Sequence, residues 1–164
     1  MASAIIDATK PASVVEQFLR SDLFIPELRS HKKASVLEEM VEALARAGVT
    51  RNPEVVLTLL HEREALGSTA IGKGVAVPHG RSVLIGERAV VCARSSEGVD
   101  FDAPDGAPVK LFFLLVAPAV ERDPIYLKLL AEVVRAVRLS KNRQQLLKAP
   151  HFAGVREALL HGAE

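Results

Sequence analysis

With 164 residues, 49% of them hydrophobic and 25% charged, the chain has the balance of one globular domain with its own core and not that of a disordered segment. Its 21 Lys and Arg against 20 Asp and Glu give a formal charge of +1, too weak a field to hold a nucleic-acid backbone. One Tyr, six Phe and no Trp leave few platforms for stacking bases.

Cys92 is the single cysteine, so no internal disulfide is possible, and no Cys/His cluster has zinc spacing; a reducing, cytoplasmic setting and a metal-free fold are expected. The N-terminus has no apolar signal core. The longest apolar run, residues 111–120, falls short of the ~20 needed to span a bilayer, so no membrane insertion is expected.

Residues 1–20 read as an N-terminal extension and 21–164 as the domain. Within the extension, Ser13 and Glu16 have capping-box spacing ahead of Phe18 and Leu19, which suits a short helix. Leu23, Phe24 and Ile25, stopped by Pro26, read as an edge strand. From Lys32 the period becomes helical, with Leu37, Met40, Val41 and Leu44 on one stripe, Glu38, Glu39 and Glu42 opposite, and Gly48 as a left-handed stop. Asn52 and Pro53 supply an N-cap and a first helical residue for a second helix, whose buried face is expected at Val56, Leu59, Leu60 and Leu66.

Farther on, residues 88–94 favour a strand, Pro104, Asp105 and Gly106 a turn, and residues 109–116 a strand buried on both faces because the run is almost continuously apolar. Asp123 and Pro124 open a helix with Leu127, Leu130, Val134 and Val137 on its stripe. Ser140 caps a further helix, and residues 155–160 suggest a last one. The fold class is therefore mixed α/β, a sheet covered by helices on its faces, with a strand order that this pattern does not fix.

The chemistry concentrates in residues 63–81, where Gly67, Gly72, Gly74 and Gly80 surround one histidine, His79. Glycines there permit positive backbone torsions, so successive N–H groups can form an anion-binding concavity. Pro78 stiffens the chain just before His79, and Gly80 removes bulk just after it. A neutral imidazole keeps one lone pair, which suits a nucleophile, and attack on a phosphoryl group then needs positioning and donors for the equatorial oxygens. Arg63, Ser68, Thr69 and main-chain N–H groups are the candidate donors. Each has a plainer use, Arg63 at a helix dipole and Ser68 and Thr69 in a turn, and His31, His61, His151 and His161 read as ordinary surface or core histidines. Residues 67–73 also match the start of a phosphate-loop signature, but Gly74 stands where Ser or Thr must hold magnesium, so nucleotide binding is not expected.

In Arg63, Glu64, Gly67, Ser68, Thr69, Ile71, Gly72, Gly74, Ala76, Pro78, His79 and Arg81 the chain resembles the type-2 enzyme IIA domains of the bacterial phosphoenolpyruvate-dependent phosphotransferase system, the mannitol, fructose and nitrogen-regulatory group. The resemblance implies a mixed sheet sandwiched by helices and a phosphoryl carrier in which His79 accepts phosphate from the carrier HPr or its nitrogen-branch counterpart. His79 would pass it to a IIB domain or use it as a signal to a kinase or transporter. It implies no cofactor beyond covalent phosphate on His79, with Arg63 as electrostatic partner and Ser68, Thr69 and Gly80 at the phosphate. One departure stands out: the place of the second histidine that many members carry falls on Tyr126, whose hydroxyl can donate one hydrogen bond but not a positive charge near neutral pH. With no IIB or IIC segment in the sequence, a regulatory IIA is expected; the alternatives are a weakened IIA-like binding module and the IIA component of a separately encoded sugar permease.

Overall fold

The computed structural model describes residues 13–120 and 124–161. A short helix, α1 (Val14–Phe18), leads through a 3₁₀ turn to β1 (Phe24–Ile25), followed by α2 (Lys33–Arg46) and α3 (Pro53–Ala65). Three short strands come next, β2 (Ala70–Gly72), β3 (Val75–Ala76) and β4 (His79–Ser82), then the long β5 (Ala89–Val99) and β6 (Val109–Pro118). Three helices close the chain: α4 (Ile125–Arg138), α5 (Ser140–Lys148) and α6 (Phe152–His161).

β6 is the spine of the sheet. It pairs antiparallel with β5 on one side, and on the other side it pairs parallel with β3 (Val75↔Leu111) and then, farther along, with β4 (His79↔Leu115). β1 borders β5 in parallel and β2 borders β3 in antiparallel, so the sheet is mixed. The alternation of a strand splits β6 between two cores. Phe112, Leu114 and Val116 pack with Val36, Leu37, Met40, Leu44, Val56 and Leu60 of α2 and α3. Leu111, Phe113, Leu115 and Ala117 pack with Val15 of α1, with Tyr126, Leu129 and Val133 of α4, and with Leu146 and Val155 of α5 and α6. From Leu111 to Ala117 both faces are covered and no polar residue has a place, which explains the apolar run there; Lys110, near the start of β6, is exposed.

Local chemistry accounts for the helix ends. Gly48, at φ 78°, closes α2: its N–H bonds Ala45 O and the N–H of Val49 reaches back to Leu44 O, the paired bonds of a Schellman motif. Pro53 is the first residue of α3 as expected, but Asn52 makes no side-chain cap. The Ser13 hydroxyl caps nothing in its own helix. It donates to Glu132 on α4, and the same carboxylate accepts the N–H groups of Val14 and Val15, so α1 is capped across the tertiary interface. Asp123 lies outside the described residues; α4 begins at Ile125, and Ser140 is the first residue of α5 and not its cap.

Three stripes differ from the sequence reading. Glu39 faces inward and is buried because its carboxylate accepts the main-chain N–H groups of Arg29 and Ser30. Leu66 lies just past α3 and is 87% exposed. In α4 the buried stripe is Tyr126, Leu129, Val133 and Val137, leaving Leu127 exposed. That helix is apolar at so many positions that period alone admits two rotations, and contact with Leu115 and Ala117 of β6 selects this one.

Candidate functional site

β4 pairs with β6 alone among the described strands, so its other edge is unpaired. There, between the end of α3 and the first turn of α4, lies an open cavity of about 470 Å³ lined by Leu59, Glu62, Arg63, Leu66, His79, Gly80, Arg81 and Tyr126. Three of the five site residues expected from the sequence besides His79 itself therefore meet it at one place: Arg63, Gly80 and Tyr126.

The orientation of His79 is fixed by its own strand. Nδ1 lies 2.8 Å from the carbonyl oxygen of Val77. A carbonyl only accepts, so Nδ1 carries the proton and the lone pair resides on Nε2, for which no hydrogen-bond partner exists among the described residues. The backbone that holds this arrangement is itself tied down: Val77 N–H donates to Thr69 O, and Leu115 N–H to Pro78 O. The imidazole is half-buried, with the Tyr126 ring 6.3 Å away, centroid to centroid, and tilted by 54°.

Arg63 sits in the last turn of α3, where its Nη1 donates to Gly67 O at 2.8 Å, leaving the rest of the guanidinium at the cavity. Leu59, Glu62, Arg63 and Leu66 follow the i, i+3, i+4, i+7 spacing of one helix face. That spacing is a signal from which Glu62 and Leu59 were readable once Arg63 was chosen. Gly80 faces α3: a Cβ there would lie 2.9 Å from Leu59 Cδ2 and 3.5 Å from Leu60 Cδ2, so only glycine lets α3 approach without a shift. Arg81, present in the motif but not singled out for the site, holds its guanidinium carbon 5.1 Å from the Tyr126 ring centroid.

The structure does not bring Ser68 and Thr69 into this lining. Ser68 Oγ donates to Phe101 O at 2.5 Å and accepts the Ala70 N–H. Thr69 is buried, and its hydroxyl and N–H both bond the carboxylate of Glu64. Lys33 Nζ completes the group, 2.9 Å from Glu64 and 3.2 Å from Asp102, over the ring of Phe101. Burial alone would lower the Lys33 pKa, but the bonds and charges of Glu64 and Asp102 outweigh it and hold the ammonium above its ordinary range. Nor do Gly72 and Gly74 cradle His79. Gly72, Lys73 and Gly74, with φ of 88°, 56° and 77°, form the turn between β2 and β3, and Lys73 N–H donates to Asp105 at 2.8 Å. β3 meets β6 at Leu111 and β4 meets it at Leu115, which puts that turn about 13 Å along the sheet from His79.

Residues 17–162 match the family described as phosphoenolpyruvate-dependent sugar phosphotransferase system, EIIA 2. The chain belongs to this family. A nitrogen regulatory protein of Bradyrhizobium diazoefficiens is 34% identical over 76% of the chain and 80% of its own length. The fructose-specific EIIA component of Haloferax volcanii is 31% identical over 80% of the chain and 85% of its own length. The crystal structure of the nitrogen regulatory protein IIA-Ntr from Neisseria meningitidis superposes with a TM-score of 0.83 at 31% identity, covering 90% of this chain and 99% of that one. In this EIIA domain, then, the mixed sheet between helices is the family fold, and His79 lies on the edge strand where that fold leaves an opening. Among the described residues no group of His, Cys, Asp and Glu is placed to hold a metal ion, and no helix is long and apolar enough to cross a membrane.

Proposed function

We propose that this EIIA domain carries a phosphoryl group on Nε2 of His79, taken from the phosphohistidine of an HPr-like carrier or its nitrogen-branch counterpart. The observation that carries the reading is the Nδ1 bond to Val77 O, which leaves the Nε2 lone pair beside a cavity holding two guanidinium groups. In the transfer, that lone pair attacks phosphorus, the donor's P–N bond breaks, and its electron pair returns to the donor imidazole. Nδ1 keeps its proton on Val77 O, so the phosphorylated ring is cationic beside a dianionic group. Arg63 faces the oxygens as an electrostatic partner, and Gly80 lets α3, which carries Arg63, approach the strand. The positive end of α4, at Tyr126, adds to the same field.

The likeness to nitrogen regulatory proteins supports a regulatory use, in which the phosphorylated and unphosphorylated surfaces bind a kinase or transporter differently. Passing the group to a IIB domain of a sugar permease is the second reading, supported by the fructose-specific relative. The setting is the cytoplasm, where Cys92 stays reduced, and the only cofactor is the covalent phosphate. Incubation with phosphoenolpyruvate, enzyme I and an HPr-like carrier, followed by intact mass, tests the proposal. An acid-labile phosphoryl adduct is expected on the wild type and not on His79→Ala. An unmodified wild type beside a labelled control overturns it in favour of a binding module, the reading to which Tyr126 in place of a second histidine points.

A further inference from the structure

In a strand, residues two apart share a face, so His79 and Arg81 of β4 point to the same side. Their partners on β6, Leu115 and Ala117, belong to the core under α4, whereas Gly80 faces Leu59 and Leu60 of α3. The side that carries the acceptor histidine thus also carries an arginine, and α4 places Tyr126 against both. The ring lies 6.3 Å from the imidazole and 5.1 Å from the guanidinium carbon.

Arg81 is exposed, and no carboxylate among the described residues pairs with it. An unpaired exposed arginine ordinarily samples many rotamers, but a guanidinium resting on an aromatic face keeps its five donors free while losing that freedom in advance. Charge argues the same way. The cavity has Arg63 and Arg81 against Glu62, and one Nη of Arg63 is engaged by Gly67 O. A phosphoryl group brings about two negative charges, and next to Glu62 the cationic ring and Arg63 together still leave about one of them without a partner.

We infer that Arg81, parked on the Tyr126 ring, is the second cation of the phosphoryl site, and that Tyr126 serves this site with its ring face. The inference rests on His79 being the acceptor. It assigns to a stacked Arg–Tyr pair the positive charge that a second histidine would otherwise bring: the guanidinium swings from the ring to donate to the phosphoryl oxygens as the P–N bond to His79 forms, with the ring holding the arginine within reach between turnovers.

The test compares rates of phosphoryl acceptance from the HPr-like carrier for the full chain and for Arg81→Ala, Arg81→Lys, Tyr126→Phe, Tyr126→Ala and the double Arg81→Ala/Tyr126→Ala, each confirmed folded by its thermal transition. Arg81→Ala is expected to slow acceptance about tenfold or more, the scale of one charge-assisted hydrogen bond, with partial recovery in Arg81→Lys. Tyr126→Phe, which keeps the ring, retains most of the rate that Tyr126→Ala loses, and the double variant is no slower than Arg81→Ala because the two act as a unit. An Arg81→Ala protein that accepts at the wild-type rate overturns the inference, as does a Tyr126→Phe protein as slow as Tyr126→Ala, which would assign the work to the hydroxyl. Should the wild type take up no phosphate beside a labelled control, the carrier reading fails, and titration with inorganic phosphate followed by the His79 imidazole NMR signals decides the inference. Weaker binding to Arg81→Ala than to wild type by about tenfold supports it, and equal binding overturns it.

Discussion

Residues 67–74 and residues 77–81 belong to one glycine-rich stretch, yet they use their polar groups in opposite ways. In the first part the polar groups are taken up by the protein itself: Ser68 by Phe101 O, Thr69 by Glu64, Lys73 N–H by Asp105. In the second, His79 leaves one nitrogen to the cavity, and Arg81 rests on a ring instead of a carboxylate. The first part is a clamp that ties α3 and the Phe101 loop to the strand edge, and the second is what the clamp holds in place. The two are joined by the bond from Val77 N–H to Thr69 O, one peptide removed from the carbonyl that sets the histidine tautomer. A motif of this kind thus mixes residues that face the cavity with residues that hold them in place, and their order in the chain does not tell which is which.

If that division holds, changes in the clamp reduce stability and changes at the opening reduce transfer. The largest effect is expected from Lys33→Met, which leaves the Glu64 carboxylate buried without its cation. A loss on the order of 3 kcal/mol in urea unfolding is predicted, and a variant as stable as wild type would break the comparison. Cys92 gives an independent readout, because burial pushes its thiol up to about 12; labelling near pH 8 then proceeds through opening of the fold and accelerates in this variant. The pH arm has a definite sign. The Lys33 pKa is raised on folding, so its contribution is complete below the ordinary lysine value of 10.5. It is lost as the pH climbs from there through the raised value, and the gap between wild type and Lys33→Met narrows in that alkaline window.

Next in size is Arg63→Ala. Phosphoryl acceptance is expected to fall about tenfold, equivalent to about 1.4 kcal/mol, while the urea midpoint moves by less than about 1 kcal/mol since the single bond to Gly67 O is solvent-exposed. A stability loss matching the rate loss would place Arg63 with the clamp. Gly80→Ala is expected to cost about 1 kcal/mol or less, because the Cβ meets the mobile end of Leu59; its sharper consequence is a Leu59 side chain displaced within the cavity, visible as shifted methyl NMR signals. The smallest effect belongs to Asp105→Ala. Its carboxyl is held below the usual range by accepting the N–H groups of Lys73 and Ala107, so the hold is present at neutral pH and released as the pH falls through that depressed value. Faster amide exchange confined to the turn around Lys73, with no change at His79, is the expected result.

By itself the sequence determined the strand buried on both faces, since only a run without polar residues fits between two helical layers, and it determined the stops at Gly48 and Pro53 and the singular position of His79 between Pro78 and Gly80. These are local matters: backbone torsion, side-chain bulk and period are properties of neighbours in the chain. Tertiary structure alone decided the rest. β2, β3 and β4 are too short and too rich in glycine to announce themselves, and they are strands because β6 and one another offer them hydrogen-bonding edges. Ser68 and Thr69 looked like phosphate donors until Phe101 O and Glu64 claimed their hydroxyls, and Arg81 became part of the site only when α4 laid Tyr126 beneath it. Which partner a polar side chain meets depends on residues far along the chain, and no spacing within a motif carries that distance.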